Sequence, residues 1–218
     1  KRVRQAVSYA VNREDCLSVG AEGYGAVCFN SLSPSTEGYV ENPSGYSYDV
    51  EKAKALMAAA GVTSLDVKAA VVTDAQERIM QVVQMNLKEI GINLTFSRVD
   101  NTVLTELMGN NEYDMCMNEY AHYQDPELFY GRYLGAVGIG GNNWAHYQSA
   151  EADAAIAAAA TTDAAARQAA LEELNRIICD DQPWVGLYTE ELYCLAHAGV
   201  KGVNINLETT YWYHTICY

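Results

Sequence analysis

The chain has 218 residues, half of them hydrophobic and 19% charged, a composition that allows one good-sized buried core. Its 28 acidic against 14 basic residues give a net charge of −14, which excludes the basic footprint of a nucleic-acid binder and argues against an anionic membrane surface as partner. No apolar run approaches the ~20 residues of a membrane-spanning helix.

Lys1-Arg2-Val3-Arg4 runs straight into a helical pattern rather than an apolar signal region, and without an initiator methionine the chain reads as a processed or excised piece. Val3, Ala6, Val7 and Ala10 share one stripe and predict a helix from about Arg2 to Val11. The Gly-, Ser- and Pro-rich stretch from Gly20 to Tyr48 is too long for mere connection and is expected to pack on a surface or line a site. Asp49 then caps a helix with Ala53, Leu56, Met57 and Ala60 on its apolar face, closed by Gly61. Leu65–Thr73 reads as a strand, Ala75–Ile90 as a helix ending at Gly91, and Asn93–Val99 as a second strand. A short helix, Thr102–Met108, leads to a third strand, Tyr113–Tyr120. This alternation predicts an α/β fold with parallel crossovers, and without repeats or linkers the chain reads as one domain, 1–218. Helices follow near Pro126–Leu134, Ala150–Ala160 and Ala164–Cys179. Trp184–Tyr188 and Leu192–Ala196 are expected to close the chain as a hairpin turning at Glu190-Glu191.

No catalytic motif is present: there is no G-x-S-x-G elbow, P-loop or H-E-x-x-H. The glycines from Gly135 to Gly141 miss the dinucleotide-binding register, because position 143 is Asn, and read as a flexible loop. His122, His146, His197 and His214 have no ligand-like spacing, and neither a metal nor a cofactor is implied. The six cysteines contain no C-x-x-C. Cys116 reads as a buried thiol in an apolar strand, and Cys179–Cys194 is the expected disulfide, a helix end facing the hairpin. Sixteen tyrosines against three phenylalanines suit adaptable recognition of polar ligands. Tyr120 and Tyr123 lie just past a strand's carboxyl end, where open α/β sheets form their clefts.

The order of segments is itself informative. Val3-Arg4-Gln5-Ala6-Val7-Ser8-Tyr9-Ala10-Val11-Asn12-Arg13 looks like the "vRqAlsyAiDR" helix of the oligopeptide/dipeptide/nickel class of bacterial solute-binding proteins (family 5). Tyr48-Asp49-Val50-Glu51-Lys52-Ala53-Lys54-Ala55-Leu56-Met57 with Ala60-Gly61 is similar to its "ydpekAkaLLaeAG". Leu87 to Ile92, Tyr113-Asp114-Met115, Asp125-Pro126 and Val200-Lys201-Gly202 resemble its "lkkiGi", "yDm", "DP" and "vkG", in the same order.

The resemblance implies one lobe of a type II periplasmic-binding-protein-like fold, a mixed sheet flanked by helices. This chain is then the second lobe, with the first absent from it. It further implies an extracytoplasmic monomer, in the periplasm or as a surface lipoprotein, that binds peptides or similar polar solutes and serves an ABC permease. The family's ligand-contacting stretch corresponds to Cys116–Gln124, which makes Asn118, Glu119, Tyr120, Ala121, His122 and Tyr123 candidate ligand contacts. Counting back from Asp125, the position of the family's amine-anchoring aspartate falls on His122, and Glu119 is the nearest carboxylate. Asn143-Trp144-Ala145-His146-Tyr147-Gln148-Ser149 resembles "NxAHYxS", whose asparagine reaches the cleft, so Asn143 joins the set. Two rival readings are a nickel or metallophore binder using His122, and an enzyme with Glu119 and His122 as an acid/base pair.

Overall fold

The computed structural model describes residues 1–120, 125–191, 193–203 and 215–217. The chain opens with two helices in direct succession, α1 (Arg2–Ala10) and α2 (Arg13–Ala21). Asn12 separates them as the cap of α2, its side chain accepting from the backbone N–H groups of Glu14 and Asp15. No apolar period announces α2, because only Arg13, Cys16 and Leu17 of it are buried. A two-residue strand β1 (Ala26–Val27) follows, then α3 (Val50–Ala59), capped by Asp49 as expected.

The central unit is β2 (Leu65–Val71), α4 (Asp74–Lys88), β3 (Ile92–Arg98), α5 (Asn101–Gly109) and β4 (Met115–Cys116). The three strands form one sheet in the order β3-β2-β4, with both pairings parallel, which requires the helical crossovers. β2 lies in the middle, and its residues are covered on both faces: Ala69 and Val71 belong to one apolar cluster, Ala70 to another with Leu104 and Met108 of α5.

Beyond the sheet come α6 (Pro126–Tyr133), a single 3-10 turn at Ala136–Gly138, α7 (Ala150–Ala159), α8 (Ala164–Asp181) and β5 (Tyr188–Thr189). Asp125, Ser149 and Asp163 cap the three α-helices with side-chain acceptors. Phe129, Tyr130, Ala152, Leu171, Leu174 and Ile178 build a second large core between these helices.

Several expectations are corrected. The strand expected over Tyr113–Tyr120 pairs only at Met115 and Cys116, followed by one further bond from Met117 N–H to the Ala70 carbonyl. Its partner β2 ends at Val71, so no backbone remains for a longer ladder. The closing hairpin is not formed among the described residues: β5 pairs antiparallel with β1 instead, Ala26 opposite Thr189 and Val27 opposite Tyr188. The Gly20–Tyr48 stretch therefore contributes a strand, and it also packs: Leu32 enters the second core, and Tyr46 packs against Tyr9 with ring centroids 4.7 Å apart and planes tilted by 51°. Without the hairpin nothing carries Cys194 back to Cys179. All six cysteines are free thiols, Cys179 buried and Cys194 exposed.

The two large cores are joined by polar contacts near α1. Lys1 pairs with Asp180 and Asp181 at the end of α8, and Arg4 and Gln5 donate to the carbonyls of Asp181 and Asp180. Arg13, only 4% exposed, donates to the carbonyls of Ser8, Cys28 and Gly186 and to Ser8 Oγ, with Phe29 under its guanidinium at 4.7 Å. Burial, with no carboxylate partner among the described residues, pulls its pKa down to about 10.

Candidate functional site

The candidate site lies where the chain leaves the carboxyl ends of β2 and β4, the edge at which parallel sheets open their crevices. On one side β2 passes through Val72 into α4, whose cap is Thr73: its hydroxyl accepts from Gln76 N–H at 3.2 Å. Gln76, 5% exposed, turns its carboxamide oxygen back to Val72 N–H at 2.8 Å. Its Nε2 then donates to Glu119 Oε1 at 3.2 Å.

On the other side the chain runs past β4 to Asn118, Glu119 and Tyr120. Asn118 and Glu119 are exposed, and Asn118 Oδ1 accepts from Glu119 N–H at 3.0 Å. Tyr120 turns into the second core, where it stacks on Trp184 (5.1 Å between centroids, 26° between planes) and meets Phe129 and Tyr133 edge-on. Glu119 and Tyr120 thus address different elements: a carboxylate at the start of α4, an aromatic wall on α6. Among the described residues no lysine or arginine forms an ion pair with Glu119. Tyr188 of β5 is close enough for Glu119 to bear on its hydroxyl, whose pKa is pushed up to about 12 by burial first, with Glu190 and Glu119 adding to it.

Of the other expected site residues, Ala121, His122 and Tyr123 lie outside the described residues. Asn143 is described, and it faces inward at 1% exposure. Its Nδ2 donates to the carbonyls of Leu134, Gly135 and Tyr147, and its Oδ1 accepts from Tyr147 N–H. The carboxamide therefore ties the Gly-rich loop to Tyr147 and has no free group turned to a cleft. Asp125, the cap of α6, is held below the usual carboxylate range: burial raises it, but Arg167 at 2.9 Å and the N–H groups of Leu128 and Glu127 outweigh that.

Gln76, Trp184 and Tyr188 were not singled out from sequence. Thr73-x-x-Gln76 does carry the capping-box pattern that marks a helix start. Nothing local marks Trp184 or Tyr188, which reach the site from the far end of the chain. An open depression of about 410 Å³ lined by Leu128, Arg132, Val137 and Ile156 shares none of these residues. Among the described residues no group of three His, Cys, Asp or Glu could hold a metal ion, and no helix is long and apolar enough to cross a membrane. Chemically, the site offers a carboxylate with no ion-pair partner among the described residues and one oxygen already oriented, beside stacked aromatic rings, which suits a ligand with a cationic donor.

The family model described as "Bacterial extracellular solute-binding proteins, family 5 Middle" matches residues 1–141. The Di/tripeptide-binding protein 2 of Pseudomonas aeruginosa (strain UCBPP-PA14) is 25% identical over 214 residues, covering 94% of this chain and 40% of that protein. The structure of HbpA2 from Haemophilus parasuis matches with a TM-score of 0.89 at 20% identity, over 99% of this chain and 44% of the other. The periplasmic binding protein DppA from Helicobacter pylori, ABC transporter-associated and solved with the peptide STSA, matches with a TM-score of 0.81 at 25% identity. It covers 93% of this chain and 41% of its own. The chain spans about two-fifths of the length of these relatives.

Proposed function

The chain belongs to the bacterial extracellular solute-binding proteins of family 5 and has the periplasmic-binding-protein fold, and from that premise we propose that it is one lobe of a peptide-binding protein that supplies an ABC permease outside the cytoplasm. The ligand sits in a cleft completed by a second lobe, with Asn118, Glu119 and Tyr120 on the wall this lobe contributes. Glu119 holds the ammonium group of the peptide and Tyr120 backs the wall, while Ala121, His122 and Tyr123, outside the described residues, are carried as further ligand contacts. Asn143 fixes the loop from Leu134 to Tyr147 through its side-chain bonds to main-chain groups. The reaction is capture and release: the site holds its solute by charge and stacking, and the relatives named above are binding proteins.

The observation that carries this reading is the exposed Glu119 carboxylate, held by Gln76 at the carboxyl edge of the sheet and without an ion-pair partner among the described residues. Calorimetry on the full-length protein tests it, with trialanine and N-acetyl-trialanine as probes. Trialanine is expected to bind in the micromolar range and the acetylated form at least about tenfold more weakly, since a lost charged hydrogen bond is worth about 1.5 kcal/mol or more. Glu119→Gln should remove that difference. Equal binding of both probes by the unmodified protein, or no binding of either, overturns the proposal.

A further inference from the structure

We propose that Gln76 is a positioning residue for the ligand-binding carboxylate, and that the preference for a free ammonium group depends on its amide. The inference rests on the reading of Glu119 as the cleft carboxylate. A capping box accepts either Glu or Gln at the third helical position, because only a side-chain acceptor is needed to reach back to the chain before the helix. Here that acceptor is Gln76 Oε1, bonded to Val72 N–H at 2.8 Å. A glutamate would do this equally well, but it would then present a second negative oxygen to Glu119. The amide presents a donor instead, and Nε2 meets Glu119 Oε1 at 3.2 Å.

The orientation of the carboxamide follows from its neighbours. Flipped, it would set an NH2 against the Val72 N–H and a carbonyl oxygen against a carboxylate, two contacts with no hydrogen bond in either. Gln76 is itself buried and held through its own backbone N–H by Thr73, so the donor comes from a fixed point. Glu119, by contrast, is exposed and has three rotatable bonds. Anchoring one of its oxygens leaves the other available and removes rotamer freedom before the ligand arrives, so less is lost on binding. Gln76 touches no ligand in this arrangement; it acts through Glu119.

The test reads the ratio of dissociation constants, N-acetyl-trialanine over trialanine, on the full-length protein by calorimetry. Gln76→Met keeps side-chain length and removes both hydrogen bonds. Glu119→Asp keeps the charge on an exposed side chain but withdraws it from Nε2, and it serves where Gln76→Met fails to fold. Each is expected to lower the ratio about five- to tenfold. In a Glu119→Gln background, Gln76→Met should lower it no further. A purely structural role for Gln76 would weaken both probes alike and leave the ratio intact, which overturns the inference. If Glu119→Gln collapses the ratio while Gln76→Met and Glu119→Asp leave it intact, only the positioning role fails. If Glu119→Gln itself leaves the ratio unchanged, the cleft reading fails and takes this inference with it.

Discussion

At the scale of single residues, burial decides the chemistry of the cysteines. Burial raises the thiol pKa of Cys16 and Cys179 to about 12 and that of Cys116 to about 11, so each stays protonated and unreactive near neutral pH. Cys194 and Cys217 are exposed. Iodoacetamide at pH 8 is therefore expected to label Cys194 and Cys217 first in the native protein, with Cys16, Cys28 and Cys179 labelled only on unfolding. Peptide mapping after a short pulse checks this, and early labelling of Cys179 would contradict it. Site residues were legible unevenly at this scale. Glu119 stands out as a carboxylate within the stretch that the resemblance marks for ligand contact, yet its partner Gln76 lies 43 residues earlier, on a different element. Sequence shows the capping box that fixes Gln76 but not what its free N–H meets. Asn143 shows the converse: its motif is recognisable, and only the folded loop reveals that main-chain groups occupy its amide.

At the scale of elements, the helices with a clean apolar face and a polar cap were readable within a residue or two, as α3, α4 and α7 show. The strands β2 and β3 were equally clear, because burial alternates along the N-terminal half of each. The errors share one cause. β4 and β5 take their length and partners from distant backbone, β5 from Ala26, 163 residues before Thr189, and local pattern carries no record of that. The long loop that supplies β1 is also pinned to α8. At Gly38 (φ +76°) an added Cβ would lie 2.3 Å from Leu171 Cβ and 3.0 Å from its carbonyl carbon. Gly38→Ala is expected to cost roughly 2–4 kcal/mol, combining left-handed strain with overpacking against backbone. Gly45 has a similar φ of +64° but open space around it, so Gly45→Ala should cost only about 1–2 kcal/mol. Urea unfolding of both variants separates the two terms; equal losses would mean that the contact with α8 contributes nothing.

At the scale of the whole molecule, the junction of α1 with the end of α8 makes stability depend on acid. Burial alone would raise the Asp181 carboxyl, but the Lys1 ammonium, the Tyr147 hydroxyl and Arg4 together hold it below its usual value. A carboxyl depressed in the folded state adds stability that is fully present above its unfolded pKa of about 3.9 and is lost as pH falls through the folded value. Asp181→Asn is therefore expected to cost about 1 kcal/mol at pH 7, with the gap to the unmodified protein closing below pH ~4. Thermal melts at pH 7, 4 and 3 read it directly, and a gap that widens in acid would reverse the assignment.

The buried guanidinium of Arg13 has a consequence for how the protein is made. One of its acceptors, the carbonyl of Gly186, is 173 residues further along the chain. At synthesis rates of about 5–20 residues per second, Arg13 is translated roughly 9–35 s before that carbonyl exists. Through that interval the Ser8 and Cys28 acceptors are in place but Nε–H has only its longer bond, to the Cys28 carbonyl at 3.2 Å rather than Gly186 at 2.8 Å, so the guanidinium is expected to reach its full set of acceptors only after Gly186 has been translated.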